Sequence, residues 1–237
     1  AEDVVVQSYK FGCRDITLSY RTAPMPFHWP DCIVTKPLLE KVEGTVATFK
    51  DGSTKEVDVI VLSTGYLHSF PFLEDKLKLK TKNRLWIDNC YKGIFWNDNP
   101  RLMYIGMQDQ WLTLNMFDAQ AWYARDAIVG RIEIPAERKA GIDEMSKKED
   151  ELPMEDEAMI RFQMDYTADL VEATNYPSWD YELTVKTFMD WEHAKHEDIF
   201  GYRDTSHTSA FTGDEAPKPT VPWKDNMDDS IDAFVKN

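Results

Sequence analysis

The stretch Asp15–Pro24, DITLSYRTAP, constrains the fold of this chain more than any other. Ile16, Leu18 and Tyr20 alternate with polar residues, as a strand with one face on a core requires, and Pro24 forbids its continuation as a central strand. Arg21 and Thr22 are therefore expected at the carboxyl end of a strand. In doubly wound α/β folds that end is where ligands bind, and the second strand meets a ribose about 20 residues after a glycine-rich turn. An arginine there suits a 2′-phosphate, because its planar fork grips phosphate oxygens bidentately. A surface arginine before a turn accounts for the same residues equally well at this level.

The chain of 237 residues, 43% hydrophobic and 13% aromatic, is globular in composition and long enough for one large domain or parts of two. A net charge of −15 excludes a phosphate-tracking nucleic-acid binder, which concentrates Lys and Arg into a stripe. No apolar run reaches the roughly 18 residues of a membrane span and no signal peptide opens the chain, so a cytoplasmic protein is expected. Cys13, Cys32 and Cys90 are too few and too widely spaced for a disulfide framework or a zinc knuckle. His193 and His196 share a charged segment with no third ligand nearby, so no metal site is expected. No G-x-S-x-G and no G-x-G-x-x-G occurs. If Arg21 ends a second Rossmann strand, its glycine-rich turn precedes Ala1, and the chain is expected to be the carboxyl-terminal part of something larger.

Along the chain, Val4, Val5 and Tyr9 have helical spacing. PMPFHWPDCIVTKP reads as turn-rich, and Asp51-Gly52 as a hairpin between Thr45–Phe49 and Glu56–Leu62. The run Val57–Leu62 reads as a buried strand ending at Ser63-Thr64-Gly65, with a domain crossing near residues 65 to 73. GIFWNDNP reads as a strand closed by an Asx-type turn, and Arg101–Trp111 as a core strand. A helix follows, with Asn115 as N-cap, Asp118 in the first turn and Gly130 as its stop. Residues 136 to 175 read as one or two acidic surface helices, and the Pro-, Thr- and Asp-rich tail as a wrap with one short terminal helix.

Taken in order, LSYRTAP, VIVLSTGYLHSFPFL, YKGIFWNDNP, MYIGMQDQW, NMFDAQAWYARD and PTVPWKDNMDDSIDAF resemble the flavin-containing monooxygenases, nearest to their bacterial trimethylamine-oxidising branch. The likeness spans essentially the whole chain; one departure is S-T-G-Y at Ser63–Tyr66 where the family has A-T-G-Y. The resemblance implies an α/β, FAD/NAD(P)-binding, Rossmann-like two-domain flavoprotein fold, of which this is the carboxyl-terminal part only. Residues 1–66 would finish the NADPH-binding domain, and 67–237 would return to the FAD-binding domain. It implies an NADPH- and FAD-dependent monooxygenase that uses O2 to N-oxygenate small tertiary amines such as trimethylamine through a C4a-hydroperoxyflavin. The implied partners are the amine, O2, the amino-terminal half of the same enzyme and a second copy in a homodimer. The alternatives are a non-catalytic fragment and a related enzyme acting on sulfides, indole or ketones.

The resemblance also distributes roles. Arg21 and Thr22 would hold the 2′-phosphate of NADP, and Thr64 and Gly65 lie at the crossing between dinucleotide domains. Gln108 and Gln110 would contact the flavin, Asp109 and Trp111 would line the substrate pocket, and Trp191 and Arg203 would stand near the cofactor and access channel. The catalytic candidates are thus Asp109, Trp111 and Trp191; the cofactor-binding candidates are Arg21, Thr22, Thr64, Gly65, Gln108, Gln110 and Arg203. Ordinary packing competes most strongly at Trp191 and Arg203, and a plain linker at Thr64 and Gly65.

Overall fold

The strand expected before Arg21 forms, as β1 (Ile16–Ser19), in a computed structural model that describes residues 1–80 and 84–218. It pairs in parallel with β2 (Ile33–Lys36), Ile16 opposite Ile33 and Ser19 opposite Lys36. β2 falls within the segment expected to be turn-rich. Its four residues lie between Pro30 and Pro37, whose turn signal masks the β-branched pair Ile33-Val34. Before β1 runs the expected helix α1 (Glu2–Lys10), which buries Val5 and Val6. After β2 comes an antiparallel meander, β3 (Leu39–Glu43), β4 (Val46–Phe49) and β5 (Thr54–Glu56). Its second turn is the expected Asp51-Gly52 hairpin, with Gly52 at φ 79° and Asp51 Oδ1 accepting the Ser53 amide at 3.0 Å.

The buried strand expected over Val57–Leu62 is a correction. β5 stops at Glu56, and the following run lies in the open, with Val59 76% and Leu62 77% exposed. A strand buried on both faces needs hydrogen-bonded neighbours and layers covering each side, and no strand among the described residues pairs with this run.

The chain divides into two units, and each is described by itself. The first comprises Ala1–Gly65, Asp190–Thr208 and the described residues from Asp214. Besides the strands it holds a satellite cluster in which Val6, Ile199 and Tyr202 are packed by Phe27, Trp29 and Trp191. The second comprises Tyr66–Met189 with Ser209–Gly213. It holds the hairpin β6 (Cys90–Tyr91) and β7 (Phe95–Trp96), then α2 (Thr113–Ile128), α3 (Lys139–Asp150) and α4 (Asp156–Glu172). A further helix, α5 (Tyr181–Glu197), begins in this unit and runs into residues of the first. The GIFWNDNP strand is therefore found, closed by Asn99 Oδ1 accepting the Arg101 amide at 3.2 Å. The main core gathers Phe95, Met116, Ala119, Tyr123, Ile160 and Leu170.

Three further expectations change in this unit. Arg101–Trp111 is not a strand: Tyr104 bonds back to Ile94, but Gly106 at φ 73° then turns the chain out of extended geometry. A side chain at Gly106 would press on the Phe117 ring at 3.0 Å, so the turn admits only glycine. α2 begins at Thr113 rather than after Asn115, and Asp118 lies beyond its first turn. Burial of Leu112 and Met116 sets that start, because packing outweighs a capping preference worth about 1 kcal/mol. Of the two helices found within 136 to 175, α3 is a surface helix with only Ile142 buried, whereas α4 is a core helix. The dense acidic run ends at Glu157; beyond it Ile160, Met164, Leu170 and Val171 face inward while Asp165 and Asp169 lie off the buried face. Gly130, at φ 75°, ends α2 as expected. The expected tail helix and the PTVPW element lie outside the described residues.

Candidate functional site

In the first unit the parallel ladder is held to its very end. The Tyr20 amide donates to Lys36 O at 2.9 Å, and Ser19 Oγ donates to Pro37 O at 3.1 Å while accepting the Leu39 amide at 2.9 Å. From that anchored point Arg21 and Thr22 leave in a bend, both exposed. Arg21 makes no ion pair among the described residues, so its fork stands ready at the carboxyl end of a parallel strand. Thr64 and Gly65 are exposed, and Gly65 sits at φ 74° with open space where a side chain would go.

Trp191 and Arg203 are brought together, also in the first unit. The Tyr202 ring meets Trp191 edge-on at 5.1 Å, and the Lys195 ammonium and Arg203 guanidinium lie 5.2 and 5.6 Å from the indole. Arg203 pairs with Asp3 at 3.2 Å. His193 reaches Glu197 at 3.3 Å and His196 lies against Phe27. Among the described residues no group of His, Cys, Asp and Glu is placed to hold a metal ion.

In the second unit Gln108, Asp109, Gln110 and Trp111 form a loop whose backbone is bound mainly by side chains. Asp109 N–H donates to Arg84 O at 2.8 Å, and the segment from Arg84 is itself tied down by Glu149 of α3, which accepts the Leu85 amide at 2.7 Å. Trp111 N–H donates to Gln163 Oε1 at 2.7 Å, and Gln163 Nε2 donates to Asp109 O. Asp109 and Gln110 are exposed, and the Asp109 carboxylate accepts the Gln110 amide at 3.0 Å. Trp111 is half-buried against the main core. Gln108 is buried: its Oε1 accepts from Gln120 Nε2 at 2.9 Å, and its Nε2 donates toward Tyr166 at 3.4 Å.

The network runs deeper. Gln120 Oε1 accepts the Gly106 amide at 2.8 Å, Gln120 Nε2 also donates to Tyr166 Oη at 2.9 Å, and Tyr166 Oη donates to Lys92 O at 2.8 Å. Burial pushes the Tyr166 hydroxyl far above its ordinary pKa, so it stays a donor. A side chain at Gly93, which holds φ 63°, would collide with Gln108 Nε2, so glycine there makes room for the network. Gln120, Gln163 and Tyr166 were absent from the sequence-based candidates. Their signal was present as polar residues in the apolar stripes of α2 and α4, at positions where burial demands partners.

A flavin-binding monooxygenase-like family model matches residues 29–202. The chain belongs to this family. Trimethylamine monooxygenase of Methylocella silvestris is 52% identical over 99% of the chain, and that of Roseovarius sp. is 49% identical over all of it. The solved structure of Tmm from Pelagibacter sp. strain HTCC7211 superposes with a TM-score of 0.90 at 46% identity, covering 98% of this chain and 53% of that one. The S-allyl-L-cysteine S-oxygenase of Allium sativum shares the fold, with a TM-score of 0.64 at 20% identity. The chain spans about half the length of the curated relatives it matches, 52% and 54% for the first two. Its mixed α/β architecture matches about half of a solved structure of the family, and no helix among its described residues is long and apolar enough to cross a membrane.

The residues present fit part of what a flavin- and nicotinamide-binding protein needs. Arg21 and Thr22 offer a guanidinium with no ion pair among the described residues and a hydroxyl, the donors a phosphate takes. Exposed Gln110 and half-buried Trp111 precede the amino terminus of α2, which carries no side-chain cap. A glycine-rich pyrophosphate turn is not in this sequence.

Proposed function

We propose that this chain works within an NADPH- and FAD-dependent monooxygenase that uses O2 to N-oxygenate small tertiary amines such as trimethylamine. The observation that carries this is 46–52% identity to trimethylamine monooxygenases along essentially the whole chain. In this reading residues 1–66 finish a Rossmann-like NADPH-binding domain and the chain from residue 67 belongs with the FAD-binding domain. The boundary between units at Gly65–Tyr66 and the parallel β1–β2 pair support it, although Asp190–Thr208 group with residues 1–65 rather than with the second unit. The glycine-rich turns that hold both pyrophosphates come from an amino-terminal half, in keeping with coverage of half of each relative.

The bound flavin would supply the oxygen-transfer chemistry, which no amino-acid side chain performs. The residues of this chain bind, orient and exclude water. Arg21 and Thr22 clasp the 2′-phosphate and so select NADPH. Gln110 contacts the ring end of the flavin, and the amino terminus of α2 favours negative charge there. Asp109 attracts the protonated amine and Trp111 offers it an apolar face. Because only the neutral amine is oxygenated, the proton must leave before oxygen transfer. Trp191 and Arg203 bear on the access route. The test is NADPH consumption and amine N-oxide formation by the full-length enzyme containing this chain, across amines, sulfides, indole and ketones. Turnover of a sulfide or ketone with no amine product would replace this function with its nearest alternative.

A further inference from the structure

We propose that Gln163 of α4 is a positioning residue, whose side-chain amide stands in for a neighbouring β-strand and fixes the Gln108–Trp111 loop in the conformation amine oxygenation needs. The inference rests on the functional reading above for what the loop does, but the clamp itself is present in the structure. Gln163 accepts from Trp111 N–H at 2.7 Å and donates to Asp109 C=O, the two groups that flank Gln110. In a parallel sheet one residue of a strand makes just this pair of bonds to its neighbour, its N–H to one carbonyl and its C=O to the amide two residues on. A primary amide carries the same donor and acceptor on one rigid plane, so it reproduces that pairing.

The substitution has a consequence a real strand neighbour would not have. The chain from Gly106 onward has left extended geometry, so its polar backbone groups must find partners one at a time. Gln163 and Gln120 provide them: Gln163 holds Asp109 and Trp111, while Gln120 holds Gly106 through the backbone and Gln108 through its side chain. Both glutamines have no solvent exposure, and Thr167 Oγ1 donates to the main-chain carbonyl of Gln163 at 2.7 Å within α4. With its backbone gripped on both sides, Gln110 has one direction left for its side chain, outward, and Trp111 is seated on the core edge. The identity of residue 163 is thereby restricted. Glutamate would keep the bond from Trp111 but set a carboxylate oxygen against the Asp109 carbonyl, and methionine would fill the space while leaving both partly buried groups without this partner.

The test is made in the full-length enzyme with Gln163→Met and Gln163→Glu, and with Leu170→Ala as a core-destabilising control on the same helix that removes no hydrogen bond from the loop. Hydrogen–deuterium exchange at the Trp111 amide should accelerate on the order of tenfold in Gln163→Met, and by less in Gln163→Glu. N-oxide formed per NADPH consumed should fall in the same order, with KM for the amine rising more than kcat changes. Leu170→Ala should lower the melting temperature yet leave both readouts at wild-type values. If Gln163→Met does not fold, Gln163→Glu decides alone. Unchanged exchange in the loop, equal acceleration in Leu170→Ala, or accelerated exchange with unaltered coupling would each overturn the proposal. A wild-type enzyme that oxygenates no amine would instead sink the functional reading, and the exchange data would then judge the clamp.

Discussion

Replacing Arg21 by alanine separates a phosphate clasp from a surface arginine. Arg21 stands exposed at the carboxyl end of β1 with no ion pair among the described residues to lose, so the substitution disturbs no packing and its effect should appear only with ligand. Removing a charge-assisted hydrogen-bonding partner costs about 1.5–3 kcal/mol, which is roughly 10- to 150-fold in affinity. Solvent screening at an exposed site places the expected loss near the lower end, about 10- to 30-fold for NADPH. NADH lacks the phosphate, so its affinity should stay within about twofold, and the NADPH-to-NADH preference should fall by nearly the whole NADPH loss. Arg21→Lys keeps a charge but not the fork and should fall between. Cofactor titrations of the full-length enzyme, repeated at several salt concentrations, measure all three, and 2′,5′-ADP binding by calorimetry reads the phosphate contact without turnover. Equal losses for NADPH and NADH, or unaltered binding of 2′,5′-ADP, would refute the clasp.

Trp111→Ala should let NADPH oxidation continue while N-oxide formed per NADPH drops several-fold, since an opened apolar wall admits water; matched product and consumption would make Trp111 a plain core residue. Glu2 titrates at about 2 rather than 4.5: burial pushes its pKa up, but bonds from its own backbone and from Lys195 at 3.0 Å outweigh that. Because the folded pKa is the lower one, the contribution of these bonds to stability is complete above about pH 4.5 and disappears as pH falls toward 2, and melting temperatures of Lys195→Met should lose the Lys195 share of this acid dependence. The 237-residue chain produced alone should self-associate in sedimentation experiments and bind FAD no tighter than about millimolar, having the exposed run Val59–Leu62 and no pyrophosphate turn. Val61→Lys should reduce that association, and a monomeric, yellow, active preparation would contradict the proposed need for an amino-terminal half.

Residues 15 to 24 carried enough information to place Arg21, because a two-residue alternation and a proline act locally and need no distant partner. The Asp51-Gly52 hairpin and the Gly130 stop were legible for the same reason: each depends on what one or two residues can do with their own backbone. Val57–Leu62 and Arg101–Trp111 were not, because an apolar run becomes a strand only where another strand lies alongside it, and pairing is a property of the whole sheet. The start of α2 moved for a related reason, since the core held Leu112 and Met116 more firmly than Asn115 could cap. The candidate site shows the division most plainly. The sequence pointed to Gln108–Trp111 through motif likeness, but it could not tell that Gln108 turns inward or that Gln110 turns outward. Only tertiary structure brings Gln163 and Tyr166 of the distant helix α4, and Gln120 of the adjoining α2, beneath the loop, and only there does burial oblige each polar group to find the partner that fixes its direction.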